Sequence, residues 1–261
     1  MRRFGEVKRG PHLLYSMKKS VKMIVGGRIY GWITKSIIAR SIKNVVDIAH
    51  GSNTAFTAQS AMDLLYSPAA MYIRPWQHKV EILEVAKLIE ARKPKVVLEI
   101  GTASGGTLFL SALLADPDAL IISIDLQYGM YGGGYPDWKI PLYKSFGLHD
   151  QKIELIRGDS HSAEVLGQLE QVLNGRRVDY LFIDGDHTYE GVKQDFERYS
   201  QLLSDDSFVA FHDIVSDKSE MPDHFVSAYW DDIKCGYRYK EFIQDPSQNK
   251  LGLGVLFMKK A

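Results

Sequence analysis

The sequence predicts an α/β fold, doubly wound around a seven-stranded, mostly parallel sheet, and three observations carry that prediction. A short apolar run, Val96 to Ile100, passes through a glycine turn into a second apolar stretch of helical character, Leu108 to Leu114. Further strand-like runs then alternate with stretches of helical spacing as far as residue 211. Two of those runs end in acids, Asp184 and Asp213, where such sheets bind ligands. At 261 residues and 45% hydrophobic content, the chain can bury one full core and still carry an extension.

Residues 1–75 read as that extension, and residues 76–261 as the ligand-binding domain. The formal net charge is zero but unevenly spread: up to residue 43 eleven lysines and arginines face Glu6 alone, a net of about +10. Within this part, Ile33, Ile37, Ile42, Val45, Val46 and Ala49 recur at helical spacing, so Trp32 to Ala49 is expected to be an amphipathic helix. Such a basic helix suits an anionic membrane surface, but a packing face on the domain or on a second subunit of a homo-oligomer is the preferred reading. No nucleic-acid reading motif accompanies the charge, so nucleic acid is not expected as a partner. No apolar run approaches a membrane span and no signal peptide is evident, so a cytoplasmic location is expected. The single cysteine, Cys235, excludes an internal disulfide.

Arg74 to His78 turns the chain into a helix over Lys79 to Ala91, stopped by Pro94. The first strand, Val96 to Ile100, follows, and Ala119 to Ile124 is the second. Gln127 to Phe146 is too rich in glycine and proline for a regular element; its Tyr131, Tyr135 and Trp138 are candidates for a substrate wall or for ordinary loop packing. Ile153 to Ile156 is the third strand, with a helix from Ala163 to Leu173. Val178 to Ile183 is the fourth, with a helix from Thr188 to Leu203. Phe208 to Phe211 is the fifth. A helix over Phe225 to Ile233 and strand-like runs at Tyr237 to Ile243 and Leu253 to Met258 complete the chain.

The turn after the first strand reads Gly101-Thr-Ala-Ser104-Gly105-Gly106. This is neither the Gly-x-Gly-x-x-Gly of a dinucleotide site nor a triphosphate loop with its Lys-Ser/Thr pair. Glu99 lies near the strand end, where it would repel a phosphate, and Asp125 ends the second strand, where a carboxylate can take both hydroxyls of a ribose. Acids beside a glycine turn suit a ligand with a ribose and an ammonium or sulfonium group. The stretch resembles the S-adenosylmethionine site of class I methyltransferases, a Rossmann-like family. That resemblance implies cofactor contacts from Glu99, Gly101, Thr102, Ser104, Gly105, Gly106, Asp125 and Asp184, and from Asp159 and Ser160 near the adenine. Asp159 or Ser160 alternatively caps the helix that follows.

If the fourth and fifth strands are parallel neighbours, about 4.8 Å apart, Asp184 and Asp213 lie side by side at the carboxyl edge. Two carboxylates so placed need a proton or a cation between them, and oxygen ligands suit a hard divalent ion such as Mg²⁺. The alternative is that Asp184 meets only the cofactor while Asp213 caps a turn. The segment FIDGDHTYEGVKQDFERY, with FHDI after it, resembles the metal-dependent O-methyltransferases, including the catechol O-methyltransferase-like, cephalosporin-cluster and macrolide-sugar enzymes. The resemblance covers about Trp76 to Met258 and implies metal ligation by Asp184, His212 and Asp213, a general base at His187, and an antiparallel closing pair of strands. His212 departs from the acid or amide usual there. In an extended strand it would point away from Asp213, so it is either a nitrogen ligand, favouring Mn²⁺ or Fe²⁺, or a hydrogen-bonded histidine of the core. His187 alternatively makes only a local helix-end hydrogen bond.

The expected activity is therefore S-adenosylmethionine-dependent, divalent-metal-assisted O-methylation of a small-molecule hydroxyl, with a sugar or glycoside preferred. The rivals are an NAD-dependent oxidoreductase, which the glycine spacing disfavours, and a non-catalytic binding protein retaining the cofactor fold.

Overall fold

The computed structural model describes residues 27–127, 134–216 and 225–258. Seven strands form one sheet: β1 (Val96–Ile100), β2 (Leu120–Asp125), β3 (Lys152–Arg157), β4 (Val178–Ile183), β5 (Leu203–Ser216), β6 (Arg238–Phe242) and β7 (Lys250–Phe257). Their order is β3-β2-β1-β4-β5-β7-β6, parallel through β5, with β7 antiparallel to both of its neighbours. The order reverses between β1 and β4, and in such sheets the crevice at the strands' carboxyl ends at that point receives ligands.

Among the described residues eight α-helices flank it: α1 (Gly27–His50), α2 (Ala58–Leu65), α3 (Lys79–Arg92), α4 (Gly106–Leu114), α5 (Ile140–Lys144), α6 (Ala163–Leu173), α7 (Tyr189–Tyr199) and α8 (Val226–Ile233). Strand alternation divides the core in two. Val97 joins one cluster with residues of α1 to α4, while Val96, Leu98 and Ile100 join another with α6, α7 and α8. The sheet is thus buried on both faces, which explains why its central strands read as continuous apolar runs rather than alternating ones.

Three expectations shift. The helix expected to Leu203 ends at Tyr199, and β5 begins at Leu203 rather than Phe208. The stretch read as irregular from Gln127 to Phe146 contains α5, because Pro141 sits in a helical first turn, where its missing N–H costs nothing. Packing also runs across the expected 75/76 boundary. Ile42, Val45, Val46 and Ala49 of α1 and Ala61, Met62 and Leu65 of α2 share one core with α3 and α4. No helix among the described residues is long and apolar enough to cross a membrane.

Candidate active site

A cavity of about 900 Å³ opens at the carboxyl edge of the sheet. Its wall includes Gly101 to Ser104 after β1, Asp125 at the end of β2, Gly158 to His161 after β3, Asp184 to Thr188 after β4, and His212 and Asp213 on β5. Trp76 and Gln77, from the segment entering α3, and Phe225, Lys250 and Leu251 also line it.

The glycine turn is shaped by the protein's own backbone. Gly101 has φ of +95°, and a Cβ there would meet the carbonyl oxygen of Asp184 at 2.0 Å. At Gly106 a Cβ would lie 2.2 Å from the Ile73 carbonyl oxygen. Both glycines let chain segments cross closely, which moves the ends of β1 and β4 together and lays residues 73–75 over the start of α4. Gly105, the residue just before α4, lies beneath the buried Tyr143 ring and is not part of the cavity wall.

Asp125 reaches the cavity, but its carboxylate already binds the turn. Oδ2 accepts the backbone N–H of Thr102 (3.2 Å) and Ala103 (3.0 Å), and Oδ1 accepts that of Gly134 (3.1 Å). A carboxylate has about four lone-pair sites, so it keeps capacity for a hydroxyl. Glu99 is placed differently from expectation. Its side chain is 1% exposed, lies outside the cavity wall and accepts a short hydrogen bond from Thr107. Burial, opposed by that hydrogen bond and reinforced by the charges of Asp184 and Asp125, pushes its carboxyl up to about 8. Glu99 is therefore protonated at neutral pH and does not supply the phosphate-repelling charge read from the sequence.

Asp159 and Ser160 lie on the wall, yet neither caps α6; Ser162 does, accepting the Val165 N–H. Asp159 instead accepts the N–H of His161. The substrate-wall aromatics separate. Tyr131 lies outside the described residues. Tyr135 is buried with its ring centre 4.9 Å from that of Tyr143 and beneath Arg157, and Trp138 lies 5.7 Å from Lys35 Nζ. Neither lines the cavity.

The acids meet. Asp184 Oδ1 lies 2.9 Å from His212 Nδ1 and 3.3 Å from His187 Nε2, while His187 Nδ1 lies 3.2 Å from Asp213 Oδ2. Asp184, His212 and Asp213 can each offer one ligand atom within 4.8 Å of the others'. The expectation that His212 points away from Asp213 fails, because β5 is not extended there. Asp213 has φ of +60° and the pairing with β7 slips between His212 and Val215, a bulge that turns both side chains to one spot. His212 Nδ1 stands 3.5 Å from Asp213 Oδ1. His187 likewise does more than close a helix end, since each ring nitrogen faces a carboxylate.

Charge sets the protonation. Burial alone would raise the Asp184 carboxyl, but the charge of His212 and hydrogen bonds from both histidines hold it well below the usual range. Burial disfavours charging His212, yet Asp184, with Asp213 behind it, lifts the imidazole to about 9. Two carboxylates thus draw positive charge into the site. The donor set, two carboxylates and an imidazole nitrogen within 4.8 Å of one another, fits a divalent ion on that ground.

Sequence reasoning missed two contributors. Gln77, 6% exposed, donates from Nε2 to Asp184 Oδ2 at 2.8 Å. His161, on the wall, lies with Nε2 3.2 Å from the fully buried Asp195 of α7. Gln77 carries no motif signal; His161 lies one residue beyond the pair singled out after β3.

Residues 98–214 match the family model described as a methyltransferase domain. Among curated proteins, tapetum-specific methyltransferase 1 of Arabidopsis thaliana is 29% identical over 152 residues, covering 55% of this chain and 60% of its own. The chain spans 18%, 64% and 60% of the length of the three curated relatives it matches. Among solved structures, an O-methyltransferase from Bacillus cereus in complex with SAH aligns with a TM-score of 0.51 at 13% identity, covering 85% of this chain and 91% of that one. TomG, a Streptomyces achromogenes O-methyltransferase involved in tomaymycin synthesis and solved with SAM, aligns with a TM-score of 0.52 at 16% identity, covering 83% and 90%. At such identities the likeness is one of fold.

Proposed function

We propose that this chain, a class I S-adenosylmethionine-dependent methyltransferase, methylates a hydroxyl of a small molecule, a sugar or glycoside in preference to a catechol, with the help of a divalent metal ion. The observation that carries the reading is the convergence of Asp184, His187, His212 and Asp213 on the wall of a cavity that also includes the glycine turn. Its volume of about 900 Å³ suits a donor and a small acceptor together. The sugar preference rests on sequence resemblance alone.

When bound, S-adenosylmethionine supplies an electrophilic methyl group on a sulfonium sulfur, and Mg²⁺ or Mn²⁺ supplies Lewis acidity toward the acceptor oxygen. Asp184, Asp213 and His212 are the residues that would hold the ion. Asp125 and the turn from Gly101 to Ser104 would bind the donor's ribose and amino-acid portions, with Asp159 and Ser160 at the base. With Asp184 and Asp213 turned from its ring nitrogens to the ion, His187 would take the hydroxyl proton as the oxygen–carbon bond forms and the carbon–sulfur bond breaks, leaving S-adenosylhomocysteine and the methyl ether. His187→Ala should then lower kcat by about 10²- to 10⁴-fold while S-adenosylhomocysteine binds unchanged.

A metal-free version has one observation in its favour: His187 already bridges Asp184 and Asp213 without an ion. Acceptors screened with labelled methyl donor, with and without chelator, separate the two. Calorimetry that finds NAD but not S-adenosylhomocysteine bound would sink both. Mn²⁺-soaked crystals with no anomalous signal between Asp184 and Asp213, and activity indifferent to chelator, would leave only the metal-free version.

A further inference from the structure

We propose that the first turns of α1 form a docking face for an anionic lipid surface, a role that goes beyond methyl transfer and does not depend on it. The helix divides along its length. Its second half buries Ile42, Val45, Val46 and Ala49 in the core, and Ser41 donates to the Ala69 carbonyl oxygen at 2.9 Å. Before it, Trp32 is 69% exposed, Ile33 38% and Ile37 52%. At 100° per residue Ile33 and Ile37 point away from the face that Ile42, Val45 and Val46 bury, and Trp32 projects from the edge of that face. An exposed tryptophan with two isoleucines on the solvent side of one helix is the kind of apolar patch that marks a contact surface.

Charge selects the occupant. Lys35 and Arg40 are exposed on the same turns, Lys35 with its Nζ 5.7 Å from the Trp138 ring centre, and residues 1–43 hold eleven cations against one acid. A second copy of this chain would bring the same excess of positive charge against it. A nucleic acid would use the cations but leave Ile33 and Ile37 without an apolar partner. An anionic bilayer answers both features, because an interfacial helix buries its aromatic and aliphatic side chains about 5–10 Å deep while its cations stay among the headgroups. Tryptophan favours that boundary.

The test uses the full chain and sedimenting vesicles, one set of phosphatidylcholine alone and one of phosphatidylcholine mixed with phosphatidylglycerol. The chain should sediment with the mixed vesicles at low salt, release at high salt, and stay in solution with the neutral ones. The triple variant W32S/I33S/I37S should bind at least about tenfold more weakly, since each side chain loses its burial in the interface. The pair K35E/R40E, which touches no core position, should weaken binding by a similar factor and keeps the proposal testable if the triple variant misfolds. Wild-type chain that ignores both vesicle sets, or variants that bind like wild type, would overturn it. So would light scattering that finds a dimer split by the triple variant, or salt-sensitive binding of duplex DNA without vesicle binding.

Discussion

His187 Nδ1 lies 3.2 Å from Asp213 Oδ2, and this contact exists because residue 213 leaves the extended conformation, with φ of +60°. In a regular strand, neighbours 212 and 213 would project to opposite faces. The bulge brings both to the end of β4, so that two imidazoles and two carboxylates share one site.

Replacing Asp213 tests that arrangement in two ways. Asparagine tolerates the left-handed region, so Asp213→Asn should keep the bulge while removing a charge. Mn²⁺ affinity should fall at least about tenfold and methyl transfer about a hundredfold, with the melting temperature nearly unchanged. Asp213→Val puts a β-branched residue at positive φ and should cost about 1–3 kcal/mol in stability as well. Metal titration and thermal melts of both variants check this; an Asp213→Asn variant with wild-type metal affinity would remove the residue from the ligand set.

Gln77 should matter through Asp184. Its amide holds Oδ2 at 2.8 Å, leaving Oδ1 to the histidines. Gln77→Leu leaves that oxygen without its donor and frees the carboxylate to rotate. A loss of about ten- to a hundredfold in metal affinity is expected, the range for removing a partner of a metal ligand. A Mn²⁺ titration that gives the same midpoint for both proteins would show that Gln77 only packs.

Local patterns carried most of the fold and the metal-binding candidates. Strands that end in acids, and a glycine turn between strand and helix, are short-range signals whose geometry the sheet then enforces. Gln77 was illegible because its partner lies 107 positions away and no local spacing connects them. The pairing of His161 with the buried Asp195 of α7 was hidden for the same reason. Tyr135 and Trp138 stay open between substrate wall and loop packing in the sequence because an aromatic in a glycine-rich loop carries no direction; the contacts with Tyr143 and Lys35 decide where they point. Nothing in FHDI announces a bulge, so the joint aim of His212 and Asp213 appears only once β7 is paired alongside.

Two glycines should respond oppositely to alanine. Gly101→Ala places a methyl group 2.0 Å from the Asp184 carbonyl oxygen at a positive φ, so β1 and β4 must separate at the cavity. A loss of more than about 2 kcal/mol and a collapse of activity are expected. Gly167 lies inside α6 with nothing near its would-be Cβ. Gly167→Ala should therefore stabilise by about 0.5–1 kcal/mol through the better helix former. Denaturant melts read both signs, and a neutral Gly101→Ala would refute the close crossing.

Glu99 makes stability depend on pH in a direction opposite to that of a salt-bridged carboxylate. Burial raises its folded value to about 8, whereas an unfolded glutamate titrates near 4.3. The folded state thus keeps a proton that the unfolded state releases. The stabilisation this difference supplies is complete below about pH 4 and is lost as pH rises through about 8, with a slope of up to about 1.4 kcal/mol per pH unit in between. Glutamine keeps the shape and the acceptor for Thr107 but cannot ionise, so E99Q should lack that slope and gain stability relative to wild type between pH 5 and 8. Parallel stability curves for the two proteins across that window would mean that Glu99 is already ionised in the fold. Its unpartnered oxygen would then need a compensating positive charge nearby to be tolerated at such depth.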